Sequence, residues 1–438
     1  MKRDALQPGV SPREVWAWAA FDFANSGYTT VVLTAVFNAY FVSVVCGGAD
    51  WATFAWTCVV AASNAVGMAA MPLIGALADA KAQKKRWLFA ATALCIAGTV
   101  GLAFSGPGTI AWAAAMVVVS NLGYNVGETL NSAFLPELAK PQAVGKVSGW
   151  GWSFGYCGGI VTLGLSLLLV IGAERFGLTA QEAVSGTLLI TAAVFAAAAA
   201  PLFLWVKERS APRESASGCV GVLSAGLQSF RDVAHTLKSL PRFRDFACLA
   251  VCGFCYQCGV AVVITLSAVY AAAVMGFTTE DTIRLVFLVN ITAAVGAFGF
   301  GYLQDRLGHK LTLALTLCLW LAMIAAAALA EGRGLFWAAA NLAGLAMGSS
   351  QSAGRAMVAL LAPKKRLAEF FSFWNMMLWA AAIVGPLFYG AVSWSVGNNH
   401  RLALWATGLF FAAALLMLAP LDLARGKRAA QAADAEAG

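Results

Sequence analysis

Charge is scarce in this chain. Asp, Glu, Lys and Arg make up 11% of its 438 residues, against about 25% in a soluble globular domain, so an ordinary water-facing surface cannot be built. Long runs of alternating apolar and polar residues are missing too, which excludes a membrane β-barrel. No Gly-x-x-x-x-Gly-Lys loop is present to cradle a nucleotide's phosphates. His235, His309 and His400 are the only histidines. They fall in loops and a linker, with no nucleophile, base or metal set around them. Enzymatic chemistry and a resident cofactor therefore have no visible carrier. Met1 to Glu14 is polar, holds Pro8 and Pro12 and lacks a cleavage-like site, so no signal peptide is expected.

What is abundant is apolar length. Hydrophobic residues make up 60% of the chain, at a mean hydropathy of +0.75. They come in blocks of about 20, the length a helix needs to cross the hydrocarbon. In lipid every backbone group must pair within its own segment, so the blocks are expected to be helices. Twelve are read, at 15–45, 51–78, 87–105, 110–135, 147–171, 185–206, 246–274, 283–303, 311–330, 335–361, 370–396 and 402–421. The fold class expected is an all-α membrane protein of twelve transmembrane helices in two six-helix halves. The halves are drawn at 1–206 and 245–438, the second with a disordered tail from Ala429.

The net charge of +8 is not a nucleic-acid signal, because the basic residues sit in short loops on alternate sides. Lys2, Arg3 and Arg13, the Lys81 to Arg86 group, Lys140 and Lys146, and Lys364 to Arg366 mark one side. The opposite loops carry only Arg175, Arg284, Arg333 and Arg401. Basic loops stay cytoplasmic, so both termini and the linker 207–244 are expected there, in a cell inner membrane. Within the linker, Leu223, Leu227, Phe230, Ala234 and Leu237 repeat at helical spacing, which predicts an amphipathic helix on the membrane or the bundle.

The two halves are related. Phe21 to Phe37 can be laid on Phe254 to Tyr270, and Gly75-x-x-x-Asp79 on Gly301-x-x-x-Asp305-Arg306-x-Gly308-His309-Lys310. Parallel repeats are a transporter signature. The stretch Asn121 to Pro136 echoes Gly348 to Pro363, and with the two prolines aligned Glu128 falls on Arg355. Each is eight residues from its proline, about 12 Å along a helix axis. A carboxylate at membrane depth costs roughly 2.5–3.5 kcal/mol on insertion scales. Two readings stand for this pair: ligands for the charged ends of a substrate, or a static buried pair that fixes packing. Asp22 is either a proton-coupling carboxylate or a helix-terminus charge. Asn25, Tyr124 and Gln351 are the polar groups expected to face a cavity; Trp150, Trp152, Trp374 and Trp379 read as packing or interface anchors. Cys248, Cys252, Cys255 and Cys258 lie along one helical stripe that rises about 15 Å, too spread for one metal ion.

The Gly-x-x-x-Asp-Arg-x-Gly-His-Lys loop resembles the loop signature of the major facilitator superfamily. The resemblance implies a conformational latch of Gly75, Asp79, Gly301, Asp305 and Arg306, in which Gly permits close helix approach and Asp faces a helix terminus. In the first copy Ala80-Lys81-Ala82-Gln83-Lys84-Lys85 lacks the Gly-Arg step, so its latch would be looser. Phe21 to Tyr28, Asn131 to Leu138 with Val147 to Tyr156, and Gly348 to Arg355 with Glu369 to Trp374 and Gly385-Pro386 narrow the resemblance. Together they are similar to the vacuolar amino-acid effluxer-like branch of that superfamily. It implies alternating access around a central cavity, a small polar substrate such as an amino acid, and export; with no nucleotide-binding loop to power transport, protons are the expected coupling partner. A non-transporting sensor on the same fold, or another cargo such as peptide, sugar or organic anion, stays open from the residues alone. Gly354 stands where that branch would place Ser.

Overall fold

The computed structural model describes residues 5–49, 51–80, 83–173, 177–209, 242–277, 279–397 and 399–436. Twelve long helices follow one another along these residues, and each matches one apolar block. They are α1 (Pro12–Tyr28), α2 (Ala52–Ala80), α3 (Lys84–Leu102), α4 (Ile110–Ser132), α5 (Val144–Gly172) and α6 (Ala180–Trp205). After the linker come α7 (Arg244–Met275), α8 (Thr279–Leu307), α9 (His309–Ala328), α10 (Arg333–Leu361), α11 (Leu367–Ser395) and α12 (His400–Leu418). Among the described residues, ten segments are long and apolar enough to cross a membrane on composition alone. The two helices missing from that count are α3, which opens on Lys84-Lys85-Arg86, and α10, which carries Asn341, a Ser-Ser-Gln-Ser run and Arg355. Their neighbours must supply what lipid would not.

Helix starts follow ordinary capping chemistry. Ser11 and Glu14 form a reciprocal capping box before α1, with Pro12 in the first turn, and Thr179 with Glu182 does the same for α6. Beyond Tyr28 the first span relaxes into two π-helical stretches, Thr29–Ala35 and Phe41–Val45. Gly308 joins α8 to α9 at φ 91°, a left-handed conformation that a side chain would strain.

The chain forms two compact units. One takes Leu6–Leu138 and Phe154–Ser229; the other takes Ala139–Ser153 and Phe230–Gly438. In the first, α1 packs on α6, and α4 packs on both α2 and α3. Gly98 and Gly123 let α3 and α4 meet backbone to backbone: a Cβ at Gly98 would sit 2.7 Å from the Ser120 nitrogen. In the second, α8 packs along α10 through Gly296, Gly344 and Gly348, each facing the other helix's backbone. Small residues replace the hydrophobic effect as the means of association in lipid. The outward faces carry bare apolar side chains such as Phe104, Leu168, Leu204, Leu387, Leu409 and Leu416, which only a bilayer can cover.

Over residues 429–436 the tail expected to be disordered is helical, part of a thirteenth helix, α13 (Leu423–Glu436). Its residues are good helix formers, and it is tied down by side chains. Arg425 forms two hydrogen bonds with Asp245, which also accepts the Asp422 N–H. Asp434 caps the Lys364 and Lys365 N–H groups, and Glu436 pairs with Arg242. The amphipathic helix anticipated around Leu223 to Leu237 lies outside the described residues.

Candidate functional site

In the first unit the polar residues of α1 and α4 are paired rung by rung. Trp18 Nε1 donates to the Asn131 carbonyl at 2.8 Å. One turn on, Asn131 Nδ2 donates to Asp22 Oδ1 at 2.8 Å. Next, Asn25 Nδ2 donates to Glu128 Oε2 at 2.9 Å. Finally the Tyr28 and Ser120 hydroxyls meet at 2.8 Å, and the Tyr28 ring stacks on Tyr124 at 5.5 Å. Positions 18, 22, 25 and 28 share one helical face, so α1 presents a continuous polar edge. Asn121 extends the seam to α2, donating to Ser63 Oγ and Asn64 Oδ1. Asp22, Asn25 and Asn131 are buried, whereas Tyr124 and Glu128, one turn apart, keep partial exposure. Among the described residues of this unit, the buried amide atoms Asn25 Oδ1, Asn131 Oδ1 and Asn125 Nδ2 are left without a partner.

The second unit holds Arg355, buried within α10. Its guanidinium lies 4.8 Å from the centre of the Trp152 ring, a cation–π contact worth about 2 kcal/mol when desolvated. One turn earlier the Ser352 carbonyl accepts from Ser148 Oγ at 2.9 Å, and Ser352 Oγ accepts from Gln304 Nε2 at 3.3 Å. His309 Nδ1 lies 3.1 Å from Gln304 Oε1. Beside this chain, Asp305 accepts the Gly145 and Lys146 N–H groups at 3.1 and 3.2 Å. These are among the first N–H groups of α5, where the helix leaves donors free and favours an anion. Gly301 lies against Gly145 and Gly149, so α5 and α8 touch at backbone distance.

The structure thus groups Asp22, Asn25 and Glu128 on one seam, with Tyr124 beside it, and sets Gln351, partly exposed, one turn from Arg355. It also brings Gly301 and Asp305 onto the start of α5, while Arg306 stays exposed at the end of α8. Gly75 is buried in α2; the Asp79 side chain lies outside the described residues. Asp22 is not a helix-terminus charge. The helix begins at Pro12 and its capping acid is Glu14, so Asp22 sits nearly three turns in. Trp152 packs under the Arg355 guanidinium. Asn131, one turn after Glu128, joins the same seam through Trp18 and Asp22, which its place in the sequence did not single out. Nothing in the sequence marked Trp152 over its neighbours. His309 is the buried first residue of α9 rather than a loop residue. Among the described residues no three His, Cys, Asp or Glu side chains converge as a metal site would require.

Comparison with known proteins fits this architecture. The chain is 25% identical over 410 residues to YxiO of Bacillus subtilis, an uncharacterized MFS-type transporter, covering 92% of this chain and 93% of that one. It is 22% identical over 352 residues to autophagy-related protein 22 of Yarrowia lipolytica, covering 72% of this chain and 57% of that protein. Among solved structures, the human organic anion transporter MFSD10 superposes with a TM-score of 0.70 at 15% identity, over 93% of this chain and all of its own. The Escherichia coli fucose:proton symporter FucP does so at 0.67 and 16% identity, over 94% of this chain and 97% of its own. These relatives and neighbours are major facilitator transporters, not enzymes. The model of the vacuole effluxer Atg22-like family matches residues 38–431, and with a multi-pass helical fold of the major facilitator type, the chain belongs to that family.

Proposed function

We propose that this protein is a secondary transporter of a small polar solute bearing a carboxylate, an amino acid or a related zwitterion or anion. It works by alternating access of two six-helix halves, 1–206 and 245–438, and moves its solute outward. The observation that carries the reading is the pair of charges set at equivalent register, Glu128 on α4 and Arg355 on α10. Each is embedded in a positioning network, through Asn25 and Trp152 respectively. An intramembrane ionisable residue is a functional candidate by default. Arg355 presents a flat donor array that suits a carboxylate, and Glu128 suits an ammonium group. Tyr124 and Gln351, one turn before each, add neutral polar contacts. The carboxylates Asp22 and Glu128 are the candidates for ion coupling. Asp305 at the start of α5, with Gly301, acts as a conformational latch, and the basic loops favour both termini on the cytoplasmic side of an inner membrane.

The test is flux in proteoliposomes across a panel of amino acids and small carboxylates, in wild type and in Glu128→Gln and Arg355→Lys. Loss of flux in both, with unchanged thermal unfolding, supports the assignment. Normal flux in both folded variants ends it. A protein that binds panel members but moves none is a sensor instead.

A further inference from the structure

The rungs between α1 and α4 leave a mismatch that solute binding does not explain. Asp22 and Asn25 lie one turn apart on α1, and Glu128 and Asn131 one turn apart on α4, cross-linked as Asn131 to Asp22 and Asn25 to Glu128. A carboxylate only accepts hydrogen bonds, so each amide must turn its nitrogen toward the acid. That fixes the direction of its oxygen, which hangs from the same carbon beside the rung. Both oxygens, Asn25 Oδ1 and Asn131 Oδ1, are without a donor, although Asn25 is 2% and Asn131 0% exposed. A buried unpaired acceptor costs about 1–3 kcal/mol, and here there are two, on adjoining rungs and among anionic groups.

We infer that Asp22, Asn25, Glu128 and Asn131 form a binding site for a sodium ion. The inference rests on the transport reading for its role, with sodium as the coupling ion, but not for the site itself. The spacing suits it: three residues of helix rise about 4.5 Å, and a hard cation held by oxygens at about 2.3–2.6 Å spans about 5 Å between opposite ligands. A proton fits less well. One carboxyl O–H satisfies one amide oxygen, so both oxygens would need both acids neutralised, whereas one ion touches several oxygens at once. Two carboxylates also match a divalent charge, and the calcium arm of the experiment separates that ion from sodium. Two amide oxygens and two carboxylates are hard donors with no sulfur or imidazole, which suits an alkali cation over zinc or copper.

The experiment is thermal unfolding of the purified full chain in sodium chloride, against choline chloride and potassium chloride at equal ionic strength, with a calcium arm and a pH series. A saturable rise of a few degrees with sodium, absent with choline and reduced in Asp22→Asn and in Asn131→Leu, supports the site. Equal curves in sodium and choline overturn it, whatever the variants do. Stabilisation by acid alone, identical in all salts, overturns it in favour of protonated carboxyls. Stabilisation by calcium but not sodium overturns the monovalent assignment. Sodium-independent flux in the proteoliposome assay, with no sodium effect on unfolding, removes this site and leaves the transporter. A sodium effect on unfolding without flux keeps the site and removes the transporter.

Discussion

Lys84 offers the sharpest test of how this protein handles buried charge. It is the first residue of α3, and its side chain has no solvent exposure; Glu137, in the helical turn Leu135–Leu138, has 9%. The ammonium pairs directly with one carboxylate oxygen of Glu137, and the other oxygen accepts the Arg209 N–H at 2.8 Å. The Lys84 backbone N–H is taken by Glu208 at 2.7 Å. Lys84→Met keeps the length of the side chain and removes its charge. Glu137 is then left buried with a backbone N–H but no counter-ion, which costs about 3–5 kcal/mol for a broken buried pair. Neutralising both, as Lys84→Met with Glu137→Gln, removes the stranded charge and keeps an acceptor for Arg209. The double variant is therefore expected to be more stable than Lys84→Met alone, with a coupling energy of about 2 kcal/mol or more, inside the range for contacting residues. Thermal unfolding of the four proteins in one detergent reads the cycle. If Lys84→Met is silent, or if the two changes simply add, the pair is not acting as a buried unit and the reasoning fails.

Other outcomes follow from the same geometry. Trp152→Phe keeps an aromatic floor for Arg355 and should retain most flux, whereas Trp152→Leu forfeits a contact of about 2 kcal/mol and should weaken apparent solute affinity by about 30-fold; equal behaviour of the two would dissociate the ring from the guanidinium. Gly149→Leu forces a side chain into the α8 backbone at Ala297 and Gly301, so overpacking should cost about 1–3 kcal/mol, visible as a lower unfolding temperature that Gly164→Leu, where a Cβ meets nothing within 4 Å, does not share. Asp305→Asn weakens the acceptor on Gly145 and Lys146 and should change the balance of conformations, measured by cysteine accessibility, more than it changes solute affinity. The tether of α13 should loosen in acid. The Arg242 partner holds the Glu436 carboxyl below its ordinary 4.5, and hydrogen bonds from the Arg425 and Ala424 N–H groups hold that of Asp422 below 3.8. A depressed carboxyl stabilises above its unfolded value and loses that as pH falls through the folded one. Limited proteolysis should therefore leave α13 intact at neutral pH and release it progressively below about pH 4.5; release at neutral pH would show that these contacts do not hold it.

The sequence by itself determined the lipid-spanning helices, because backbone groups in hydrocarbon have no partner but their own helix, and twenty apolar residues leave no other solution. Repeated patterns such as Gly301-x-x-x-Asp305 pointed to the family for the same local reason: a glycine and an acid at a helix end announce a close approach and a capped terminus. Glu128 and Arg355 stood out because charge in an apolar run is costly wherever it lands. What only the tertiary structure decided was the identity of the partners. Asn131 reaches Asp22, Asn25 reaches Glu128, and Trp152 rather than Trp150 lies under Arg355; these depend on the rotation of one helix against another, which spacing along a single chain cannot fix. The tail shows the same limit from the other side. Its composition permits either coil or helix, and it becomes α13 because Asp245, Lys364 and Arg242, distant in sequence, meet its charges.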